Sequence, residues 1–144
     1  MAPRRRWQNN ESAEHVRAKL RLAKWLTRFA ADAGGPAPFR VVVEYPFTDG
    51  GGGVSAWDTC GFSRKPTIPM LRKGWGALIC ICDMVLIEGG TVTTAVEVVK
   101  TNNTPYWKVA WLKSHGLHVY EVAAEAILGC KGRPASFDTL MVQA

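Results

Sequence analysis

The chemistry this chain could perform is concentrated between Cys82 and Asn102, where Asp83 and Glu97 stand on two consecutive strand-like runs. Leu78 to Glu88 is apolar with Asp83 in its middle, and Thr91 to Val99 is rich in β-branched residues. Gly89 and Gly90 supply the backbone freedom of a turn between them, so the stretch reads as a β-hairpin. Register decides what the two carboxylates can do. A two-residue turn at Gly89 and Gly90 pairs Glu88 with Thr91, sets Glu97 opposite Cys82 and turns Asp83 to the other face. A three-residue loop of Gly89, Gly90 and Thr91 with a glycine bulge pairs Glu88 with Val92 and sets Asp83 directly opposite Glu97, and this is the register expected. Opposed residues have Cβ atoms roughly 5 Å apart, where two like charges destabilise a sheet unless a cation or proton intervenes. Asp83 and Glu97 are therefore candidate ligands of a divalent cation that takes oxygen donors, Mg²⁺ or Mn²⁺.

The flanking segments supply the elements that must position this hairpin. Asn10 to Ala33 has no Gly or Pro and carries a helical apolar stripe of Ala18, Leu22, Leu26 and Phe29, with Arg17, Arg21, Lys24 and Arg28 on the other side. His15 and Lys19, four apart, share one side of that helix, where they are placed to meet a phosphate or an approaching strand. Gly34 to Pro38 ends the helix. Phe39 to Phe47 reads as a strand with Val41, Val43 and Tyr45 facing one way and Arg40, Val42 and Glu44 the other. The segment 48–76, with glycine clusters, two prolines and the basic residues Arg64, Lys65, Arg72 and Lys73, reads as a long loop or insertion. After the hairpin, Pro105 opens a helix that runs to about His115, Gly116 closes it, and Leu117 to Val122 makes a last strand. Trp107 and Trp111 read as core of that helix, and Thr101 and Asn102 as its lead-in. The segment 130–144 reads as an irregular tail.

The order α-β-β-β-α-β, with an Asp on the second strand and a Glu on the third, resembles the PD-(D/E)XK nuclease superfamily, and within it the CoiA-like branch. The matching motifs are Ser12 to His15 followed by Ala18 and Lys19, Arg64 to Thr67, Cys82 with Asp83, Glu97 to Asn102, and Tyr120 to Ala124. They span most of the chain. The resemblance implies an α/β (α+β) fold with a restriction-endonuclease-like αβββαβ core, a mixed central sheet flanked by helices, and a Mg²⁺-dependent phosphodiesterase activity on nucleic acid. It makes Asp83 and Glu97 the metal ligands, with Glu44 as an extra one. The family's lysine stands two residues after the acid, and here that position is Val99. Lys100, on the next position, and Lys108, in the following helix as in relatives that lost the strand lysine, are the candidates for the catalytic role. His15, Lys19, Arg17, Arg21, Arg64, Lys65, Thr101 and Asn102 are the candidate nucleic-acid contacts.

Composition points the same way. The chain has 144 residues, enough for one domain with its own core, and a net charge of +6. Its charge is patterned in Arg4 to Arg6 within a basic arm at residues 1–9, in the helix stripe, and in the pairs at 64–65 and 72–73. A polyanion, DNA ahead of RNA, is the expected partner, with a homodimer as a further option. No apolar run approaches the roughly 20 residues that span a membrane. Four cysteines show no paired CxxC arrangement, which disfavours structural zinc and fits reduced thiols in an intracellular rather than secreted protein. Glycines 50–53 are followed by no GlyLysSer or GlyLysThr, so no phosphate loop is present. The expected function is a metal-dependent nuclease, of a kind suited to a phage, virus or mobile element. Val99 in the lysine position keeps a second reading open, a catalytically inactive nuclease fold retained as a basic nucleic-acid-binding or accessory module.

Overall fold

The structure is a computed structural model that describes residues 11–48, 78–101 and 103–144. The basic arm, almost all of the expected 48–76 loop with Arg64 and Lys65, and Asn102 lie outside the described residues. Helix α1 (Ala13–Ala31) starts at Ser12, whose Oγ accepts a hydrogen bond of 3.1 Å from His15 N and so satisfies one of the free amides of the first turn. Ala18, Lys19, Leu22, Trp25, Leu26 and Ala30, three and four apart, form its buried face. Arg17, Arg21, Lys24 and Arg28 lie exposed on the outer side. Phe29 leaves the expected apolar stripe: it is 42% exposed and meets Phe137 edge to face, with ring centroids 5.4 Å apart.

Five strands follow in one sheet ordered as in the chain: β1 (Arg40–Thr48), β2 (Leu78–Glu88), β3 (Thr91–Val99), β4 (His118–Ala123) and β5 (Val142–Gln143). All neighbours are antiparallel except β3 and β4, whose parallel pairing requires a crossover, here α2 (Tyr106–Ser114). A short helix, α3 (Ala124–Gly129), continues directly from β4. The result is an α+β protein with a five-stranded mixed sheet and helices on both faces. Under α1 and α3 lie Val41, Val43, Met84, Leu86, Val96 and Val122, while α2 presses Leu112 against the other face, among Val42, Phe47, Val85, Ala95 and Val119. No helix of the described residues is long and apolar enough to cross a membrane.

The hairpin register differs from expectation in its turn and agrees in its consequence. The turn is the two-residue one: Gly89 (φ 58) and Gly90 (φ 83) take the left-handed conformations that favour glycine, and Glu88 pairs with Thr91. The extra residue enters further on, at Thr93, because Ile87 pairs with Val92 while Leu86 pairs with Thr94. Beyond that bulge Met84 pairs with Val96, so one further step brings Asp83 opposite Glu97.

Strict alternation along β1, which would place Tyr45 with Val41 and Val43, is broken. Tyr45 and Phe47 lie instead with Val42 on the α2 face. The cause is Glu44, whose φ of 55 is left-handed and reverses the phase of the strand. β2 reverses at the same rung: Cys82 lies on the α2 face and Met84 on the α1 face, with Asp83 between them. Since Val43 pairs with Met84 and Tyr45 with Cys82, Glu44 and Asp83 face each other across the joint kink. The C-terminal segment is also more ordered than an irregular tail. Val142 and Gln143 pair with Glu121 and Tyr120, covering the free edge of β4, and Phe137 enters the core under α1.

That anchoring gives a direct test. Phe137→Ala is expected to lower unfolding stability by about 3 kcal/mol, whereas Tyr106→Ala, at a residue 87% exposed, stays within about 0.5 kcal/mol of wild type in the same urea titration.

Candidate active site at a strand fork

Past the Met84 and Val96 pair the two arms of the hairpin part. β2 stays with β1 as far as Leu78 opposite Thr48, while β3 follows β4 as far as Val99 opposite Ala123. Amides and carbonyls that lose a ladder partner inside a protein need another one. Asp83 and Glu97 supply it to each other's strand. Glu97 Oε2 accepts from Asp83 N at 2.9 Å, and Asp83 Oδ2 accepts from Val98 N at 2.8 Å. Lys108 Nζ donates to Ile81 O at 2.8 Å and closes the opening from the α2 side.

The two carboxylates are adjacent yet turn to opposite faces of the sheet. Glu97 Oε1 meets Lys108 Nζ at 2.7 Å among the α2-side residues. Asp83 looks towards α1, with Oδ2 3.4 Å from His15 Nε2 and Oδ1 3.8 Å from Lys19 Nζ. Lys19, only 3% exposed, also bonds Glu11 Oε2 at 2.6 Å and the Glu44 carboxylate. His15 Nε2 lies 2.7 Å from Val98 O, and its Nδ1 is 2.8 Å from Glu11 Oε2, near enough for an ion pair but without the alignment of a hydrogen bond. Four carboxylates and three basic side chains thus interlock through the fork.

Their titration follows from that packing. Hydrogen bonding to Asp83 lifts His15 to about 9 against the pull of burial, so its ring is charged at neutral pH. Burial would raise Asp83, but His15 and the Lys19 charge outweigh it and hold the carboxyl below its usual value. Burial opposes the charge on Lys19 too, and its hydrogen bonds to Glu11 and Glu44 more than offset this, leaving it raised. Glu97 goes the other way. Burial, reinforced by the Asp83 charge, pushes it up to about 7 despite Lys108. Lys108 resists its own burial and stays raised through the Glu97 charge.

Of the residues expected to act, Asp83, Glu97, Lys108, Glu44, His15 and Lys19 come together here. Lys100 does not: it pairs with Glu14 at 2.6 Å on the surface, both side chains about half exposed, an ion pair of little energetic weight. Val99 keeps to the strand edge beside Ala123, and Thr101 is exposed. Arg17 and Arg21 lie on the outer side of α1, away from the fork. Among the aromatics, Trp111 packs on Phe47 with centroids 5.7 Å apart, but Trp107 is 55% exposed rather than core. Glu11 is the member that sequence reading missed. Its signal was its position four residues before His15, which itself stands four before Lys19, so that the residue just ahead of the helix cap falls in line with the inner edge of α1.

For a cation, the described residues offer Glu11, His15 and Asp83, one ligand atom each, all within 4.8 Å of one another. Glu97 and Glu44 are outside that group, so the expected pairing of Asp83 with Glu97 around one ion becomes a pairing of Asp83 with α1. Comparison with protein-family models, with curated proteins and with solved structures found no match to this chain.

Two measurements test this electrostatic description. His15 carries a raised pKa in the folded state, so its stabilisation is fully present below about 6.5, its unfolded value, and is lost as pH rises through about 9. Asp83→Asn is expected to bring the NMR titration of His15 down towards 6.5 and to flatten the fall in stability over that window. Lys108→Met leaves Glu97 buried without its cation and is expected to lower stability by about 3 kcal/mol at pH 8. The loss shrinks at pH 5.5, where Glu97 is protonated, and an equal loss at both pH values would rule out the assigned pairing.

Proposed function

We propose that this protein is a metal-dependent nuclease that hydrolyses phosphodiester bonds, DNA before RNA, on a restriction-endonuclease-like core of the PD-(D/E)XK kind. The observation that carries the reading is the burial of Glu44, Asp83 and Glu97 with His15, Lys19 and Lys108 where β2 and β3 part. Stability alone does not favour such a cluster, because buried ion pairs are often replaceable by apolar residues without loss. The left-handed Glu44 adds about 1–3 kcal/mol of strain at the same place. Perturbed titrating groups gathered beside strained backbone are what acid–base chemistry requires.

The donor set suits a divalent ion: two carboxylates and an imidazole fit Mn²⁺ at least as well as Mg²⁺. A cation held by Glu11, His15 and Asp83 would first have to displace the proton that His15 carries at neutral pH, and would then add positive charge at the phosphoryl oxygens and acidify a bound water. The remaining work falls to the chain's own groups. Glu97, with a carboxyl near 7, lies on the α2 side of the fork and positions Asp83 by accepting its amide hydrogen. Lys108 keeps its charge next to Glu97 and holds it in place from the α2 side, bonding Ile81 O as well. Lys19 positions Glu11 and Glu44 by bonding both.

The test is cleavage of labelled plasmid and single-stranded DNA with Mn²⁺ or Mg²⁺. Asp83→Ala and Glu97→Ala, checked for folding by circular dichroism, are expected to abolish cutting, and Lys108→Ala to slow it by about 10²-fold or more. Lys100→Ala is expected to cut as wild type does. No cleavage by folded wild-type protein with any metal or substrate, while binding persists, would leave the basic binding module as the better account.

A further inference from the structure

A second, wholly different constellation lies at the other end of α1. Arg21, Lys24 and Arg28 follow one another at three- and four-residue steps on the outer face of the helix, where like charges repel. The C-terminal segment adds to them instead of keeping away. Arg133 reaches the same place, its guanidinium 2.8 Å from Asp32 at the end of α1. Together with Trp25 these residues line a cavity of about 610 Å³ that opens to solvent. Asp32 answers Arg133, and among the described residues Arg21, Lys24 and Arg28 have no carboxylate partner.

We propose that this cavity is a phosphate-recognition site that seats the backbone of a bound nucleic acid away from the fork. Concentrated cations without internal partners are favoured by an anion that brings its charge from outside, and guanidinium groups match phosphate oxygens in geometry. Trp25, 8% exposed, forms an apolar floor and offers little ring area for a stacked base, so the site reads backbone rather than sequence. Thirteen helical residues separate His15 from Arg28, roughly 20 Å along α1, which is about six phosphate steps of one strand of a duplex. At 3.6 residues per turn Arg28 stands about 220° around the helix from His15, so a backbone seated in the cavity lies on the outer face of α1 while the fork lies under its inner face. The inference rests on the nucleic-acid partner of the reading above and not on cleavage.

The experiment measures binding of a labelled DNA duplex of about 12 base pairs, and of the single strand, by fluorescence anisotropy in EDTA over a range of salt. Arg28→Gln and Arg133→Gln are each expected to weaken binding about three- to tenfold and to lower the slope of log K against log salt by about 0.9 for the duplex. Lys113→Gln, the same charge change on the exposed side of α2, is expected to leave both quantities unchanged. Equal losses in all three variants would mean undirected attraction to a basic protein and would overturn the site. So would unchanged binding in Arg28→Gln and Arg133→Gln, or no binding by wild type. Because EDTA removes any metal chemistry, loss of cleavage and loss of this site are read separately.

Discussion

The arrangement depends on how the sheet survives being split. Beyond Met84 and Val96 the hairpin has no ladder, yet the backbone there is buried and must be hydrogen-bonded. Asp83 and Glu97 resolve this by each taking an amide from the other's strand, so the two carboxylates act as the last rungs between β2 and β3. A carboxylate so used keeps free lone pairs, and those point out of the sheet to either side. Cations must then come from both layers of helix. Lys108 answers from α2, His15 and Lys19 from α1, so both helix layers contact the fork through charge as well as the rest of the sheet through the apolar cores.

Phase reversal at Glu44 and Asp83 is what lets this happen. In regular strands Asp83 would share a face with Val85, and Glu44 with Val42, on the α2 side. The left-handed turn of the backbone at Glu44 and the matching reversal in β2 swing both carboxylates to α1 without changing the pairing register, since Val43 still meets Met84 and Tyr45 still meets Cys82. In this conformation Glu44 accepts a hydrogen bond from Lys19, which also donates to Glu11. A glycine at position 44 would adopt the conformation more easily but would leave buried Lys19 one carboxylate short.

Much of this was legible in the sequence, and the exceptions have physical causes. The order of helix, strand, hairpin, helix and strand follows from apolar period and glycine or proline breaks, and the structure has it. Asp83 meeting Glu97 followed from the need to neutralise two carboxylates on facing strands. The expected loop was wrong in its place, because Gly89 and Gly90 form the tighter turn on their own and the extra residue sits at Thr93, whose side chain gives no bulge signal. The flip at Glu44 was hidden because period-two reading assumes extended backbone at every step, and a glutamate does not announce positive φ. Lys100 and Lys108 could not be ranked by spacing: only the crossover through α2 decides which of them returns to the fork. Val142 joined the sheet because β4 had an open edge, a fact of topology rather than of the tail's composition.

The two ends of α1 divide the electrostatics of the molecule. Its inner N-terminal turns, with Glu11 just before them, hold His15 and Lys19 in a nearly dry cluster where carboxylates outnumber cations across the fork, and its outer C-terminal turns hold Arg21, Lys24 and Arg28 in water, where Asp32 is the acid that lines the same cavity. In water such cations act weakly on any single partner but sum over distance to draw a polyanion. In the fork the low dielectric makes each charge strong but short in reach. A fork rich in carboxylate would by itself repel phosphate. On the nucleic-acid reading proposed above, the net charge of +6 and the cations on the outer face of the helix that walls the fork would offset that repulsion at long range.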